Sequence, residues 1–366
     1  MQQNKGAGVE RYTYHFVRKL LEKDQHNDYV LFFNSSIGPE TVHKIKSNYP
    51  RVKIRKFVKD NIKIPILGSH WQFSRLLKQE KLDLTIFPVG SMPLFYKKKS
   101  IVIVHDLAIY LHPEWFPDKQ WFSTKVIVPL SLKKANKIIA VSNNTKQDII
   151  KLFKIPESKI KVIYPGIVVK ENYLDEEINK IEQKYDIFSN YALYIGTIEP
   201  RKNIVKLIKA FSNYLFENEE SNITLVLAGA KGWKYKTIFQ ELEGVNKRLK
   251  HSQIKYIGKV SNRERNILIK HAQAFVFPSK YEGFGFPVIE AMALGIPVLC
   301  GNNSSLTEIA DQAALLVDVN NVNEIRKAIK QILQDKYLRA KLIQAGKTRS
   351  REFNWDLAVE RFIEEF

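Results

Sequence analysis

The sequence predicts two doubly wound α/β domains, each a parallel sheet with helices on both faces. Three observations carry that prediction. Apolar runs of strand length alternate with helical periodicity through both halves, the alternation breaks once near the middle, and 366 residues with 45% hydrophobic content suit two domains of ordinary size. In the first half the strand-length runs are residues 29–33, 52–57, 82–87, 101–105, 137–141 and 160–164, with helical periodicity over 9–22, 70–79, 119–135 and 143–153. Pro165-Gly166 then interrupts the pattern, and the acidic, helical segment 168–188 reads as a linker and lead-in. The second half repeats the alternation with runs at 191–195, 224–227, 254–257, 274–277, 298–300 and 314–317, and ends in an amphipathic helix over 354–366. The expected boundaries are 1–167 for the first domain, 168–188 for the linker, 189–350 for the second domain and 351–366 for the terminal helix.

Composition removes several classes. No stretch reaches the roughly 18 uninterrupted apolar residues of a membrane span. Met1-Gln2-Gln3-Asn4-Lys5 is polar with no apolar secretory segment behind it, so a cytoplasmic location is expected. The single cysteine, Cys300, excludes an internal disulfide and a multi-cysteine metal site; a small buried side chain on a strand is expected, a reactive thiol being the alternative. The formal charge is +20, and residues 1–174 carry +16 of it, with 30 Lys and Arg against 14 Asp and Glu. Arg51, Lys53, Arg55, Lys56, Lys59 and Lys63 form one cluster and Lys97-Lys98-Lys99 another, interleaved with Phe57, Ile62 and Ile64. Such a surface suits peripheral contact with the anionic inner face of the cytoplasmic membrane, where each basic residue is worth about 1 kcal/mol. The alternative is a compositional bias toward Lys, Ile and Asn with solvated lysines and no partner. Nucleic acid is not the expected partner, because no helix-turn-helix, zinc or aromatic ribonucleoprotein pattern is present to read bases.

Ligands of open parallel sheets bind beyond the carboxyl ends of strands, so the loops after the predicted strands hold the candidate chemistry. The run Glu282-Gly283-Phe284-Gly285-Phe286-Pro287-Val288-Ile289-Glu290 sets two carboxylates eight positions apart across a glycine-rich turn between a strand and a helix. Pro287 suits the first turn of that helix and Gly295 its end. Free N–H groups at the helix start favour an anion, Gly283 and Gly285 permit close backbone approach, and the carboxylates can accept sugar hydroxyls, so a phosphorylated sugar fits all three. A pair of acids serving only the helix dipole is the alternative, which leaves the glycines and phenylalanines unexplained. After the strand at 191–195 come Arg201, Lys202 and Asn203, with Asn203 a candidate N-cap and the two cations candidates for phosphate; two solvated surface cations are the alternative. His105-Asp106 follows a buried strand, where the imidazole can donate to a sugar hydroxyl or cap a turn. His15, His70 and His271 have no partners at metal spacing. No Asp-x-Asp motif occurs, and neither a metal nor a cofactor is expected.

The two glutamates, the preceding Pro278-Ser279, the string Gly196-Thr197-Ile198-Glu199-Pro200-Arg201-Lys202-Asn203 and the pair His105-Asp106 together resemble glycosyltransferase family 4, the retaining enzymes of GT-B fold. The string is also similar to that of bacterial mannosyltransferases of surface polysaccharide assembly. The resemblance implies two nucleotide-fold domains facing a central cleft, with the last helix crossing back to the first domain and Trp355 at the junction. It places His105 against the donor sugar, with Asp106 as a local orienting residue, and makes Gly6-Ala7-Gly8 the loop that closes over the donor diphosphate. Gly229 and Val260 would flank the nucleoside, Gly283, Phe284, Gly285 and Phe286 would line the donor, Glu290 would accept the ribose hydroxyls and Glu282 would face the transferred sugar in a positioning role. Thr197 stands where many members carry an arginine, leaving Arg201 and Lys202 to hold the diphosphate. The donor implied is GDP-mannose and the acceptor a glycan, including one linked to polyprenyl pyrophosphate. Family members also carry a central strand before the Gly6 loop. Here only Met1–Lys5 precede it, so a truncated chain or misplaced start is expected, since neighbouring strands would otherwise keep unpaired backbone groups. Two rivals remain at this point: a nucleotide-sugar epimerase, which needs acid/base pairs not found around His105, and a basic nucleic-acid-binding protein, whose binding would be steeply salt-dependent and insensitive to Glu282.

Overall fold

The structure, a computed structural model, describes residues 8–33, 39–57, 66–117, 122–169, 173–187, 190–249 and 253–366. The chain divides into two compact units: unit 1 comprises Met1–Leu107, Lys119–Gly166 and Asn354–Phe366, and unit 2 comprises Ala108–Asp118 and Ile167–Phe353. No helix among the described residues is long and apolar enough to cross a membrane.

Unit 1 contains strands β1 (Tyr29–Phe33), β2 (Val52–Lys56), β3 (Thr85–Phe87), β4 (Ser100–Val104), β5 (Lys137–Ala140) and β6 (Ile160–Val162). Among the described residues they form a parallel β3-β4-β5-β6 sheet and a separate parallel β1-β2 pair. The expectation about a strand before Gly6 falls on residues 1–7, outside the described residues. Every residue of β4 is buried, as both faces of a parallel sheet require. Helix Gly8–Lys23 turns Tyr12, Phe16, Leu20 and Leu21 inward at helical spacing. The terminal helix Trp355–Ile363 joins the same core, Trp355 packing on Tyr12 at 5.2 Å and Phe362 on Phe16 at 4.8 Å, with Lys19 paired to Asp356 at 3.2 Å.

Two elements differ from expectation. The helix predicted over 119–135 is a π-helical turn, Ser123–Ile127, running into an α-helix, Val128–Lys134. Pro129 offers no N–H for the regular ladder, and Val128 N–H reaches back to Ser123 O instead. Helix Pro39–Asn48 was not predicted, because it buries no residue and leaves no apolar stripe to read.

Asp24, just past the first helix, is buried and accepts hydrogen bonds from Tyr29 Oη, from Asn27 Nδ2 at 2.7 Å and from the His26 N–H at 2.9 Å. Burial opposes its ionisation, but these donors prevail and hold it at about 2, below its ordinary 3.8. A depressed carboxylate stabilises the fold above its unfolded pKa and loses that contribution as pH falls through the folded value. Asp24→Asn is therefore expected to cost about 1–3 kcal/mol near neutral pH and progressively less below pH about 4, measured by urea unfolding across that range. An equal cost at every pH would rule out the charge as its source.

Unit 2 contains β7 (Tyr191–Ile195), β8 (Thr224–Ala228), β9 (Ile254–Gly258), β10 (Ala274–Phe277), β11 (Val298–Gly301) and β12 (Leu315–Val317), all parallel, in the order β12-β11-β10-β7-β8-β9. The chain lays β8 and β9 outward from β7, then returns to the other side of β7 at β10. This is the doubly wound order whose reversal opens a crevice at the carboxyl ends of its two central strands. Both are fully buried. Helix Ile204–Glu217 covers the sheet with Ile204, Leu207, Ile208, Phe211 and Leu215, the stripe legible in the sequence. Cys300 is buried in β11, where burial pushes its thiol up to about 12 and suppresses thiolate chemistry. The segment Ala108–Asp118 joins this unit through Trp115, which clusters with Ala108 and Tyr281, and through Phe116, whose ring lies 5.5 Å from Trp233.

Candidate functional site

The reversal at β7 and β10 brings two loops together that are distant in sequence. The loop after β7 is fixed against the loop after β8: Gly196 N–H donates to Ala228 O at 3.0 Å, Ile198 N–H to Ala230 O at 2.9 Å and Gly232 N–H to Ile198 O at 3.0 Å. Gly229 has φ +151°, and a Cβ there would sit 1.8 Å from Gly196 O, so only glycine lets these strand ends close. Its N–H donates to Gly258 O at 2.8 Å, tying in β9 as well. Thr197 is exposed, and its carbonyl accepts from Tyr194 Oη at 3.2 Å.

Pro200–Lys202 form a 3₁₀ turn that leaves through Asn203 in the left-handed conformation, φ +60°. Asn203 occupies the N-cap position of helix Ile204–Glu217 as expected, but its side chain makes no capping hydrogen bond. Left-handed backbone turns the amide toward Val319 O, to which Nδ2 donates at 2.7 Å. The turn points Arg201 and Lys202 at the loop after β10, and Lys280 N–H bonds Arg201 O at 2.9 Å to lock the two loops.

There Glu282 receives three side chains: Lys202 Nζ at 2.5 Å, Ser279 Oγ at 2.6 Å and Arg201 Nη1 at 3.2 Å. Arg201 also reaches Glu199 at 3.0 Å and donates to Tyr281 O at 3.1 Å. Glu199, Lys202 and Glu282 are all buried, so two carboxylates and two cations share one desolvated tetrad of zero net charge. Burial opposes ionisation of Glu282, yet the adjacent Lys202 and Arg201 charges hold it below the usual carboxylate range. Burial, reinforced by Arg201, lowers Lys202. Burial raises Glu199 beyond what Arg201 and Lys202 offset, making it the carboxyl of the pair that protonates more readily. The two cations expected to stand ready for phosphate are thus already shared with carboxylates. Sequence reading missed Glu199, although it sits inside the quoted string.

The backbone after Glu282 is held by the start of helix Ser304–Ala310: Glu282 N–H donates to Ser304 Oγ at 3.0 Å, and Ser305 Oγ donates to the carbonyls of Glu282 and Phe284 at 2.9 and 3.0 Å. Gly283 is buried in the turn. Gly285 has φ +105°, and a Cβ would meet Leu306 at 2.7 Å. Phe284 is buried on Phe353 at 5.4 Å and on the half-buried Phe286 at 4.9 Å, which turns its ring into the core. Helix Phe286–Ala293 follows with Pro287 in its first turn and Gly295, φ +75°, just past its end.

Glu290, inside that helix, is fully buried and paired with Arg265, Nη1 to Oε2 at 2.8 Å and Nη2 to Oε1 at 3.1 Å. Arg265 lies on helix Asn262–Lys270, which Ser261 caps reciprocally with Glu264, and the half-buried Val260 leads into that cap. Nothing local in the sequence marks Arg265 as a partner of a glutamate on another helix.

His105 and Asp106 belong to unit 1, at the carboxyl end of β4, and Asp106 is exposed. His105 Nε2 lies 2.7 Å from Pro88 O, and Tyr12 packs edge-on at 4.6 Å. A carbonyl only accepts, so Nε2 carries the proton, and burial lowers the imidazole pKa, favouring the neutral ring. Nδ1 is then an acceptor, which corrects the expected sense: His105 can take a hydrogen bond from a hydroxyl, not give one. Gly8 is exposed at the start of helix Gly8–Lys23, and Gly6 lies outside the described residues.

Two parallel-sheet units, the second with its loops gathered at a topological switch, define a protein of the GT-B fold. The solved structures agree: the chain aligns with Anabaena Alr3699/HepE, crystallised with UDP and glucose, at TM-score 0.76 and 18% identity over 100% of this chain and 97% of that one. It aligns with WaaG, a glycosyltransferase of lipopolysaccharide biosynthesis, at TM-score 0.72 and 14% identity over 99% and 96%. The chain belongs to glycosyltransferase family 4 and is a glycosyltransferase: residues 6–171 match the family model "Glycosyltransferase Family 4" and residues 175–349 match "Glycosyl transferases group 1". It is 33% identical over 270 residues to the O-antigen chain mannosyltransferase B of Escherichia coli, covering 73% of this chain and 69% of that one. It is 29% identical over 340 residues to the O-antigen chain mannosyltransferase RfbU of Salmonella typhimurium, covering 90% and 88%. It also matches the serotype-specific mannosyltransferase WbdA of E. coli at 26% identity, spanning 42% of that longer chain.

Proposed function

We propose that the protein transfers mannose from GDP-mannose to a growing glycan, including one carried on a polyprenyl pyrophosphate, with retention of configuration and without a metal ion. The observation that carries this reading is the buried Arg201–Lys202–Glu282 constellation at the switch point of unit 2; the mannosyltransferase relatives support the choice of sugar. Breaking the sugar–phosphate bond places negative charge on the leaving diphosphate. Arg201 and Lys202, held in place before the donor arrives, stabilise that charge with little reorganisation. Glu282, kept ionised by the same cations, positions the sugar and supports positive charge at the anomeric carbon. Glu199 takes up a proton more readily than Glu282 and so lets the tetrad accommodate an incoming anion. Glu290 receives the ribose hydroxyls, and His105 Nδ1 accepts from a sugar hydroxyl. Peripheral contact with an anionic membrane is part of the proposal, matching both a lipid-linked acceptor and the basic first half of the chain.

A thermal-shift panel of GDP-mannose, UDP-glucose and other nucleotide sugars tests the donor. At a hundred times its dissociation constant the true donor is expected to add about 2.7 kcal/mol of stability, with transfer to a mannosyl acceptor undiminished by EDTA. Stabilisation by a UDP-sugar alone would exclude GDP-mannose, and loss of turnover in EDTA would exclude the metal-independent route.

A further inference from the structure

Unit 1 carries a second feature at the opposite end of β4 from His105. A pocket of about 720 Å³ opens between helix Ile66–Gln79, helix Val128–Lys134 and the loop preceding β4. Three large apolar side chains at its wall face solvent: Trp71 is 53% exposed, Phe95 43% and Leu130 38%. Arg75, Lys78, Lys97 and Lys134 line the same pocket, and among the described residues no carboxylate does. The loop is anchored to both helices, Leu94 N–H donating to His70 Nδ1 at 3.2 Å and Lys134 Nζ to Leu94 O at 2.6 Å. The N–H and carbonyl of Leu94 are therefore both satisfied while the neighbouring Phe95 stays outward. Arg75 lies over the Trp71 ring at 5.7 Å, so cation and aromatic share one surface.

We propose that this pocket is the surface by which unit 1 docks on an anionic lipid bilayer. Aromatic and leucine side chains enter the headgroup–acyl boundary, where an amphipathic indole is favoured, while the surrounding cations meet the phosphates. Charge complementarity selects this occupant: a neutral apolar ligand leaves four cations unused, and a soluble anion leaves three exposed apolar side chains unused. The inference rests on the membrane contact proposed above and says where it is made.

The test is co-sedimentation of the full chain with phosphatidylcholine vesicles, with and without phosphatidylglycerol, alongside the donor thermal shift. Wild type is expected to bind only the anionic vesicles. Because each basic residue contributes about a five-fold gain at such a surface, Arg75→Gln with Lys97→Gln is expected to weaken binding about 30-fold. Trp71→Ala with Phe95→Ala is also expected to weaken it, whereas Lys327→Gln with Lys330→Gln, exposed on helix Val322–Gln334 of unit 2, removes the same charge and is expected to leave it nearly unchanged. All three pairs are expected to keep the wild-type melting profile and donor shift. Equal loss from the pocket and control pairs would overturn the docking surface while leaving membrane contact standing. Wild type binding neither vesicle, or binding both equally, would overturn the contact itself, whatever the donor assay shows.

Discussion

Lys202→Met is expected to lower kcat by about 10²–10³-fold at saturating donor, because it removes one of two preorganised cations from the leaving diphosphate. The same change leaves buried Glu282 with the Arg201 charge and the Ser279 hydroxyl but without its Lys202 partner, and breaking a buried pair from one side costs about 3–5 kcal/mol of stability. The two effects separate by comparison. Lys202→Met with Glu282→Gln neutralises both partners and is expected to recover much of the stability but none of the rate. Steady-state kinetics and urea unfolding on the single and double variants read both. A kcat within a few-fold of wild type for the folded single variant would remove Lys202 from the chemistry and leave it a structural counter-ion.

The second large effect is expected at Arg265 and Glu290, which bury opposite charges on two helices of unit 2. Arg265→Met alone strands a fully buried carboxylate and is expected to cost about 3–5 kcal/mol. At about 2–4 °C per kcal/mol for a domain of this size, the melting transition should fall by roughly 6–20 °C. Replacing both residues with methionine exchanges the ion pair for apolar volume and is expected to restore most of the loss. Additive single effects in that cycle would show that the two side chains are not coupled. Glu290→Gln tests the ribose proposal separately, through the preference for a nucleoside diphosphate over its 2′-deoxy form.

How much of this was legible depended on the range of the interaction concerned. Pro287 and Gly295 bracket their helix as read, because a fixed φ and a left-handed one are local demands of the backbone. The stripe Ile204, Leu207, Ile208, Phe211 and Leu215 was readable because burial against a sheet imposes helical spacing on the residues themselves. Helix Pro39–Asn48 was missed because nothing on it is buried, and Asn203 sits at the N-cap as read but makes no side-chain capping bond, its amide being turned to Val319 O.

By itself, then, the amino-acid sequence determined the succession of strands and helices, the glycine and proline positions that end them, and the residue types gathered around each loop. The tertiary structure alone decided which loops meet. The strand order of unit 2 sets the ends of β7 and β10 side by side, which turns Arg201 and Lys202 from two cations into half of a neutral tetrad with Glu199 and Glu282. It also decided that Glu290 answers Arg265 and that His105 spends its proton on Pro88. The physical reason is one of scale: backbone preference and hydrophobic period act within a few residues, whereas desolvation and charge pairing act between whichever side chains the sheet order brings within a few ångströms.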